Sequence, residues 1–191
     1  MSSLKLLKVE LILGTIFSAI AMIGIPVSMF CLAPDLLREP LAWGIAFGIM
    51  LFFGLVREYK GLDLLLDAMQ LVKDQLPNLR LLIAGEFYED ERKYREQIKR
   101  NGLTERVIVR NEFVPDADLR KYFGAANLIV QPYKSATQSG VTQVAFHFEK
   151  PILVTNVGGL GEIVHHGKMG YATEPNAQDI AQAIADYYTN Q

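Results

Sequence analysis

The sequence alternates short, unbroken apolar runs with stretches whose apolar residues recur at helical spacing, and this alternation limits the possible folds more than any other feature. The runs are predicted strands, at residues 50–53, 79–84, 106–109, 127–131, 151–155 and 170–173. Unbroken apolar runs are typical of parallel strands that are covered on both faces, because neither face of such a strand meets water. The sequence therefore predicts an α/β protein with a doubly wound parallel sheet.

Helices are predicted in the stretches between and after these strands. Their predicted positions are residues 61–76, 90–101, 141–148 and 161–166, with two more beginning at the capping residues Asp116 and Asn176. The first carries its apolar residues at helical spacing and stops before Pro77, which cannot continue a helix. The second is highly charged, so we expect a helix on the surface whose charges are solvated.

A segment without any charged residue, 11–34, precedes the predicted sheet. Its length suffices to cross a membrane, which takes about 20 apolar residues in a helix. Three interpretations remain open: a membrane anchor, a buried helix packed on the domain, or a segment foreign to the domain behind it. We therefore divide the chain into an apolar N-terminal segment with a predicted helix, residues 1–49, and an α/β domain, residues 50–191.

The composition excludes several classes of function. The net charge is −2, so no general basic field favours nucleic acid as a partner. One cysteine, Cys31, allows neither an internal disulfide nor a site with several cysteine ligands. The three histidines, at 147, 165 and 166, lack the spacing of a catalytic triad or a metal site. We expect no metal and no cofactor.

Cations and hydroxyls follow two of the predicted strands. Arg57 and Lys60 come after the first strand and before a helix, where we expect them to face a cleft. The polar loop 134–140, KSATQSG, follows the fourth strand, and Ser139 and Gly140 stand at the start of the next helix. Helix N-termini attract anions through free N–H groups and the macrodipole. A diphosphate suits this arrangement, whereas the alternative is an ordinary turn with solvated charges and a hydroxyl cap.

The order of motifs resembles one known family. FFGLVREYKGLDLLLDA, LLIAGE, SATQSG and PILVTNVGGLGEIV follow one another as in the C-terminal domain of a GT-B glycosyltransferase, and within that fold the chain is similar to the retaining group 1 glycosyltransferases. The resemblance covers residues 50–191. It implies one Rossmann-like half of a GT-B fold that binds a nucleotide-diphosphate sugar, from which the enzyme transfers the sugar to an acceptor, a glycan or a lipid-linked molecule. We expect a cytoplasmic protein, with membrane association as the alternative.

The resemblance also implies roles for individual residues. Arg57 and Lys60 would grip the diphosphate, and the loop with Val114 would lie against the base. The phosphates and the donor sugar would lie against the loop of Ser135, Thr137, Gln138, Ser139 and Gly140. Gly85 and Glu86, after the second strand, complete the predicted donor site. No catalytic residue is assigned, because the usual catalytic histidine of the family belongs to the other half of the fold.

Two departures from the family pattern concern the donor. Leu55 stands where the family often has arginine. Two family glutamates correspond here to Ala136 and Val144, so Gln143, one residue away, is the predicted substitute. Residues 1–49 are too short and too apolar for an acceptor domain. A non-catalytic module that binds nucleotide sugars, a truncated remnant and a GT-B epimerase therefore stay open as alternatives to a transferase.

Overall fold

The computed structural model describes residues 48–164 and 169–189, and these contain a six-stranded, wholly parallel sheet. The strand order is β3-β2-β1-β4-β5-β6. The strands are β1 (Ile49–Phe53), β2 (Arg80–Ala84), β3 (Val107–Arg110), β4 (Leu128–Gln131), β5 (Ile152–Thr155) and β6 (Gly170–Thr173). All six predicted strands are confirmed, with ends that differ by at most one residue. The doubly wound parallel sheet is therefore present as predicted.

Six helices accompany the sheet in the described residues. They are α1 (Leu62–Val72), α2 (Arg92–Arg100), α3 (Leu119–Ala125), α4 (Gly140–His147), α5 (Leu160–Ile163) and α6 (Ala177–Thr189). Short 3₁₀ turns, Glu58–Lys60 and Asp116–Asp118, precede α1 and α3. The helix predicted to begin after Asp116 therefore starts its α-helical part only at Leu119.

The first helix ends four residues earlier than predicted. Its last residue is Val72, and a turn leads on to Leu76. The guanidinium of Arg106 donates hydrogen bonds to the carbonyls of Lys73 and Leu76. Carbonyls at a helix end need a partner, and a distant arginine supplies it here. The sequence around Pro77 contains no sign of that contact.

The strand β1 lies at the centre of the sheet and is buried on both faces. Met50 and Phe52 belong to the core cluster that includes residues of α1 and α6. Phe53, from the opposite face, packs edge-on against Phe123 of α3 at 5.1 Å between ring centroids. A strand covered in this way needs apolar residues at successive positions, which explains the unbroken run.

The order of the strands creates a crevice at the carboxyl ends of β1 and β4. From β1 the chain continues to β2 and β3 on one side, and it returns to place β4 on the other side. The loops that follow β1 and β4 therefore diverge. In open α/β sheets this point is where ligands bind.

The predicted apolar helix in segment 11–34 lies outside the described residues. Strand β1 begins at Ile49, at the end of the segment that we predicted to precede the domain. Within residues 48–164 and 169–189 no helix has the length and apolar character to span a membrane.

Candidate functional site

The basic loop after β1 is held in place by the loop after β2. Gly54 N donates to Ala84 O at 2.9 Å, and Val56 N donates to Glu86 O at 2.8 Å. Gly85 has a φ of +140°, and a Cβ on it would come within 2.3 Å of Gly54 O. Gly85 and the backbone of Glu86 therefore support the loop, while the side chain of Glu86 is exposed.

Lys60 is the buried cation of this loop. Only 9% of the residue is exposed, and its Nζ lies 5.7 Å from the centroid of the Tyr133 ring. Burial, and secondarily the charge of Arg57, lower the pKa of the Lys60 ammonium below its ordinary value. Among the described residues it forms neither an ion pair nor a hydrogen bond. A buried ammonium without a counter-charge is costly, and such a group suits an anionic ligand.

Arg57 supplies a second positive charge beside Lys60. Its guanidinium lies 4.3 Å from the centroid of the Tyr88 ring, so an aromatic face orients it. Its Nε is buried and has no hydrogen-bond partner in the described part of the chain. The two cations of the loop are therefore both short of acceptors.

The polar loop after β4 ends at the cap of α4. Ser139 is the N-cap residue, and its Oγ accepts a hydrogen bond from Val141 N at 3.3 Å. Gly140 has open space around it, because a Cβ on it would have no neighbouring atom within 4 Å. Ser135, Thr137 and Gln138 are exposed. The start of α4 is therefore accessible. In the described residues the Val141 and Thr142 N–H groups already bond to Ser139, whereas the N–H of Gly140 has no partner.

The polar loop rests on the loop after β5. Gly159 N donates to Thr137 O at 3.2 Å. Gly158 has a φ of +52°, and a Cβ on it would come within 1.8 Å of Ala136 O. The glycine pair thus lets the two loops lie in direct backbone contact, which fixes the backbone that carries the exposed hydroxyls.

The structure brings the basic loop and the start of α4 together. A Cβ on Gly54 would lie 3.3 Å from Lys60 Nζ and 3.7 Å from the Cγ2 atom of Val141, the second residue of α4. A further tie joins the loops themselves, since Lys134 N donates to Tyr59 O at 2.7 Å. The cations predicted from the first βα unit and the helix N-terminus predicted from the fourth therefore share one location.

Two predicted residues, Val114 and Gln143, show no contact with the basic loop in the described part of the chain. Val114, in the loop after β3, is buried with 8% exposure, which leaves mainly its backbone for a ligand. Gln143, on α4, is exposed, whereas its neighbour Thr142 turns inward and forms a buried hydrogen bond with Gln131. No observed contact joins Val114 or Gln143 to the basic loop, and their roles stay predictions.

Tyr133 lies between the basic loop and the start of α4, and the sequence did not predict it as a site residue. It directly follows Pro132 after β4 and is 3% exposed. Its hydroxyl lies 3.3 Å from Ser139 Oγ, and its ring meets Tyr59 edge-on at 6.1 Å. Burial raises the pKa of the Tyr133 hydroxyl to about 12. The tyrosine could have been noticed only as a large aromatic residue at the end of a buried strand.

A separate groove lies between α2 and the edge strand β3. Its volume is about 360 Å³, and it is lined by Arg95, Ile98, Lys99, Thr104, Val107 and Val109. None of these residues belongs to the predicted donor site. In the described residues no cluster of three or more histidine, cysteine or carboxylate side chains could hold a metal ion.

Comparisons with known proteins identify glycosyltransferases among the proteins that this chain resembles. At 28% identity over 142 residues, the chain is similar to the D-inositol 3-phosphate glycosyltransferase of Pseudarthrobacter chlorophenolicus, with 73% of this chain and 34% of that protein covered. It is 32% identical over 106 residues to the GDP-mannose:glycolipid 4-beta-D-mannosyltransferase of Xanthomonas campestris pv. campestris, with 56% and 30% covered. The chain thus spans about a third of the length of these relatives.

Solved structures and a family pattern extend the comparison. Anabaena HepE, solved in complex with UDP, matches the fold with a TM-score of 0.70 at 24% identity, over 86% of this chain and 43% of that one. The family described as Glycosyl transferases group 1 matches residues 48–190. That match covers well over half of the chain and confirms the resemblance read from the motifs. The chain therefore belongs to the Glycosyl transferases group 1 family.

Proposed function

We propose that the α/β domain is the donor-binding half of a glycosyltransferase and holds the diphosphate of a nucleotide sugar at the crevice between β1 and β4. One observation carries this proposal. The Lys60 side chain is mostly buried, and its ammonium lacks a partner among the described residues. Its Nζ and the Cγ2 atom of Val141 in α4 both lie within 4 Å of the Cβ position of Gly54. A bound diphosphate would supply the missing negative charge and would also accept from the free N–H group of Gly140 at the start of the helix.

The relatives support a nucleotide sugar as the donor. HepE was solved with UDP and also with UDP-glucose, and the Xanthomonas relative is named for GDP-mannose. These ligands differ in base and sugar but share a diphosphate. We accordingly assign Arg57, Lys60, Ser139 and Gly140 to the diphosphate, and leave the base and the sugar of the donor unassigned.

The remaining predicted residues surround this diphosphate site in the proposal. The backbone at Val114 would border the base. Ser135, Thr137 and Gln138, with exposed polar side chains, would border the phosphates and the sugar. Gln143 would take the place of a family glutamate, and its exposure leaves its amide free to reach a ligand.

Charge development during transfer explains why cations are needed at this place. When the bond from the sugar to the diphosphate breaks, the nucleoside diphosphate leaves with additional negative charge. Arg57, Lys60 and the helix N-terminus would stabilise that charge in a partly water-excluded site. The acceptor hydroxyl and the base that takes its proton would belong to the other half of the GT-B cleft, which the described residues do not contain.

Removal of the buried ammonium tests the proposal directly. Charge-assisted hydrogen bonds contribute roughly 1.5–3 kcal/mol, so Lys60→Ala should weaken the binding of UDP or GDP about ten- to hundredfold. Isothermal titration calorimetry of the parent protein identifies which of the two nucleotides binds, and the variant is then titrated with it.

The control is Lys99→Ala on the exposed surface of α2, which removes an equal charge far from the crevice and should leave binding unchanged. Equal binding by Lys60→Ala and the parent would show that the basic loop is an ordinary turn. A parent protein that binds neither nucleotide would contradict the donor site as a whole.

The alternative is a module that holds nucleotide sugars without transferring them. The described residues form a single α/β domain, and the chain spans only about a third of its curated relatives, so this alternative makes the same binding prediction. A transfer assay separates the two. Release of UDP or GDP from the sugar nucleotide in the presence of an acceptor domain from a relative would favour the transferase, and binding without any turnover would favour the module.

A further inference from the structure

We infer that Tyr133 is a positioning residue of the donor site, which holds the Ser139 hydroxyl and the Lys60 ammonium so that both can meet the same phosphate group. The inference rests on the proposed function and adds a residue to it. Tyr133 contacts both groups, with its hydroxyl 3.3 Å from Ser139 Oγ and its ring centroid 5.7 Å from Lys60 Nζ. In the described residues, no other side chain has a recorded contact with both.

A count of protons shows what the hydroxyl pair offers a ligand. Tyr133 and Ser139 together carry two O–H groups, and the hydrogen bond between them uses one, whichever oxygen donates. Val141 N–H donates into Ser139 Oγ and so uses acceptor capacity only. One O–H donor is therefore left over at the N-terminus of α4. A phosphate oxygen is an acceptor without protons to give, and it matches a spare donor at this place.

The tyrosine keeps its proton under ordinary conditions. Burial is the main cause that raises the pKa of its hydroxyl to about 12, against a smaller opposing effect of the Ser139 hydrogen bond. The pair therefore stays a neutral donor across the physiological range. A phenolate here would instead repel the diphosphate.

The ring of Tyr133 supports the cation. A cation within about 6 Å of an aromatic centroid is attracted by the ring quadrupole. Lys60 Nζ lies within this distance of the Tyr133 ring. The attraction orients the ammonium without neutralising it. The charge therefore remains available to a ligand, as it would not after pairing with a carboxylate.

The position of Tyr133 itself is fixed from several sides. Thr155 Oγ1 on β5 donates to the backbone carbonyl of Tyr133, and Tyr59 packs edge-on against its ring. The residue is 3% exposed. A side chain held this firmly can position others, because its own rotamer is not free to change.

A double-mutant cycle with UDP and GDP as probes tests the inference. It uses the parent, Tyr133→Phe, Ser139→Ala and the double variant, each titrated by calorimetry with the nucleotide that the parent binds. Tyr133→Phe keeps the ring and loses the hydroxyl, so we expect binding to weaken about three- to tenfold. Ser139→Ala should weaken binding to a similar extent. The double variant should bind the nucleotide only slightly more weakly than the single variant with the lower affinity, because the two hydroxyls act as a unit.

Two further variants separate positioning from general stability. Tyr133→Leu removes the ring as well and should weaken binding several-fold beyond Tyr133→Phe. Tyr187→Phe is the matched control, since it removes a hydroxyl that donates to Asn127 O at 2.8 Å outside the predicted donor site, and it should leave binding unchanged. Thermal unfolding midpoints of Tyr133→Phe and Tyr187→Phe should be similar, so that only the nucleotide affinity distinguishes them.

The outcomes that overturn the inference differ from those that overturn the proposed function. If Tyr133→Phe binds like the parent while Lys60→Ala does not, the donor site stands and Tyr133 has no part in it. Additive effects of Tyr133→Phe and Ser139→Ala would show that the tyrosine does not act through the serine. If the parent binds neither UDP nor GDP, the proposed function and this inference fail together.

Discussion

At the scale of single residues, Lys60 combines a cost in stability with a use in binding. The residue is 9% exposed and its ammonium has no counter-charge in the described residues. Its sequence position indicated a cation in a loop, and that much is confirmed. Its burial could not be predicted, because it depends on Tyr133, which approaches from the end of β4.

The buried charge predicts a pH-dependent difference in stability. In the folded protein the pKa of Lys60 lies below its ordinary value of 10.5, with burial as the main cause. Between these two pKa values the unfolded chain binds more protons, so this group makes the parent more stable as the pH rises. Lys60→Met keeps the apolar stem and removes the charge. We expect a free energy of unfolding that is equal or higher at pH 7, and a difference from the parent that shrinks toward pH 10.

Urea unfolding of both proteins at several pH values measures this difference. Titration with whichever of UDP and GDP the parent binds should show at least about tenfold weaker binding by the variant. A Lys60→Met protein that is less stable than the parent at pH 7 would contradict the assignment of the lysine to a ligand. In that case the ammonium would stabilise the fold itself.

Gly61 predicts a second effect at this scale. Gly61 and Gly102 have nearly the same left-handed backbone, with φ of +67° and +68°. A Cβ on Gly61 would come within 1.9 Å of Pro132 O, whereas the nearest atom to a Cβ on Gly102 is the end of the flexible Lys73 side chain at 3.4 Å. Gly102→Ala should therefore cost about 1–2 kcal/mol, for the backbone alone. Gly61→Ala should cost about 1–3 kcal/mol more, through overpacking.

Chemical denaturation gives the free energy of unfolding of both variants. The penalty for placing alanine in a left-handed backbone is nearly the same at both positions, so the difference between the variants reports the contact with Pro132. Because Pro132 directly precedes Tyr133, Gly61→Ala should also weaken nucleotide binding, whereas Gly102→Ala should not. Equal losses of stability at the two glycines would mean that the Pro132 carbonyl moves aside without cost.

At the scale of elements, the apolar runs predicted the strands well. The charge pattern of residues 90–101 predicted their helix, but not all of its contacts. Residues 90–101 were predicted to form a solvated surface helix, and α2 is indeed present. However, the structure buries two polar residues of this stretch, Gln97 and Asn101, against α1. Both donate to Asp67 Oδ1, at 2.8 and 2.9 Å. A pattern of apolar residues cannot reveal a helix contact made by amides, because polar side chains look solvated in a sequence.

Removal of the shared acceptor should therefore loosen α2 from α1. Asp67→Ala leaves two buried amides each short of one partner, and we expect a loss of about 2–3 kcal/mol in the free energy of unfolding. The control is Asp74→Ala, an exposed aspartate just after α1, which should change stability by less than about 0.5 kcal/mol. Urea titration monitored by circular dichroism compares the stabilities of the two variants. Equal stabilities would show that Tyr94 and Ile98 alone attach the helix.

At the scale of the whole molecule, the sequence predicted a parallel sheet but not the order of its strands. The adjacency of β1 and β4 depends in part on Asn127, whose side chain accepts from Ile49 N at 2.8 Å and whose N–H donates to Ile49 O at 2.8 Å. The Rossmann-like resemblance implies this pairing, but no residue pattern around Asn127 indicates it. It is nevertheless the pairing that brings Lys60 to α4, so the donor site was predictable as a set of loops and only the fold makes it one place.

The domain division leads to the last prediction. Gly48 O accepts from Arg80 N at 2.8 Å, so the hydrogen bonds between the central strands start at residue 48, where the family match also begins. A chain of residues 48–191 should therefore fold in one cooperative transition and bind UDP or GDP as tightly as the full chain. A matched chain of residues 54–191 lacks β1, which pairs with both β2 and β4, and it should not fold.

Circular dichroism melts and calorimetric titration of the two shortened chains and the full chain decide the matter. If residues 48–191 aggregate or lose nucleotide binding while the full chain keeps both properties, the N-terminal segment is part of the domain and the division near residue 49 is wrong. If instead the shorter chain matches the full one, the Lys60 ammonium, the Tyr133–Ser139 pair and the start of α4 suffice for the diphosphate, since all of them lie within its range.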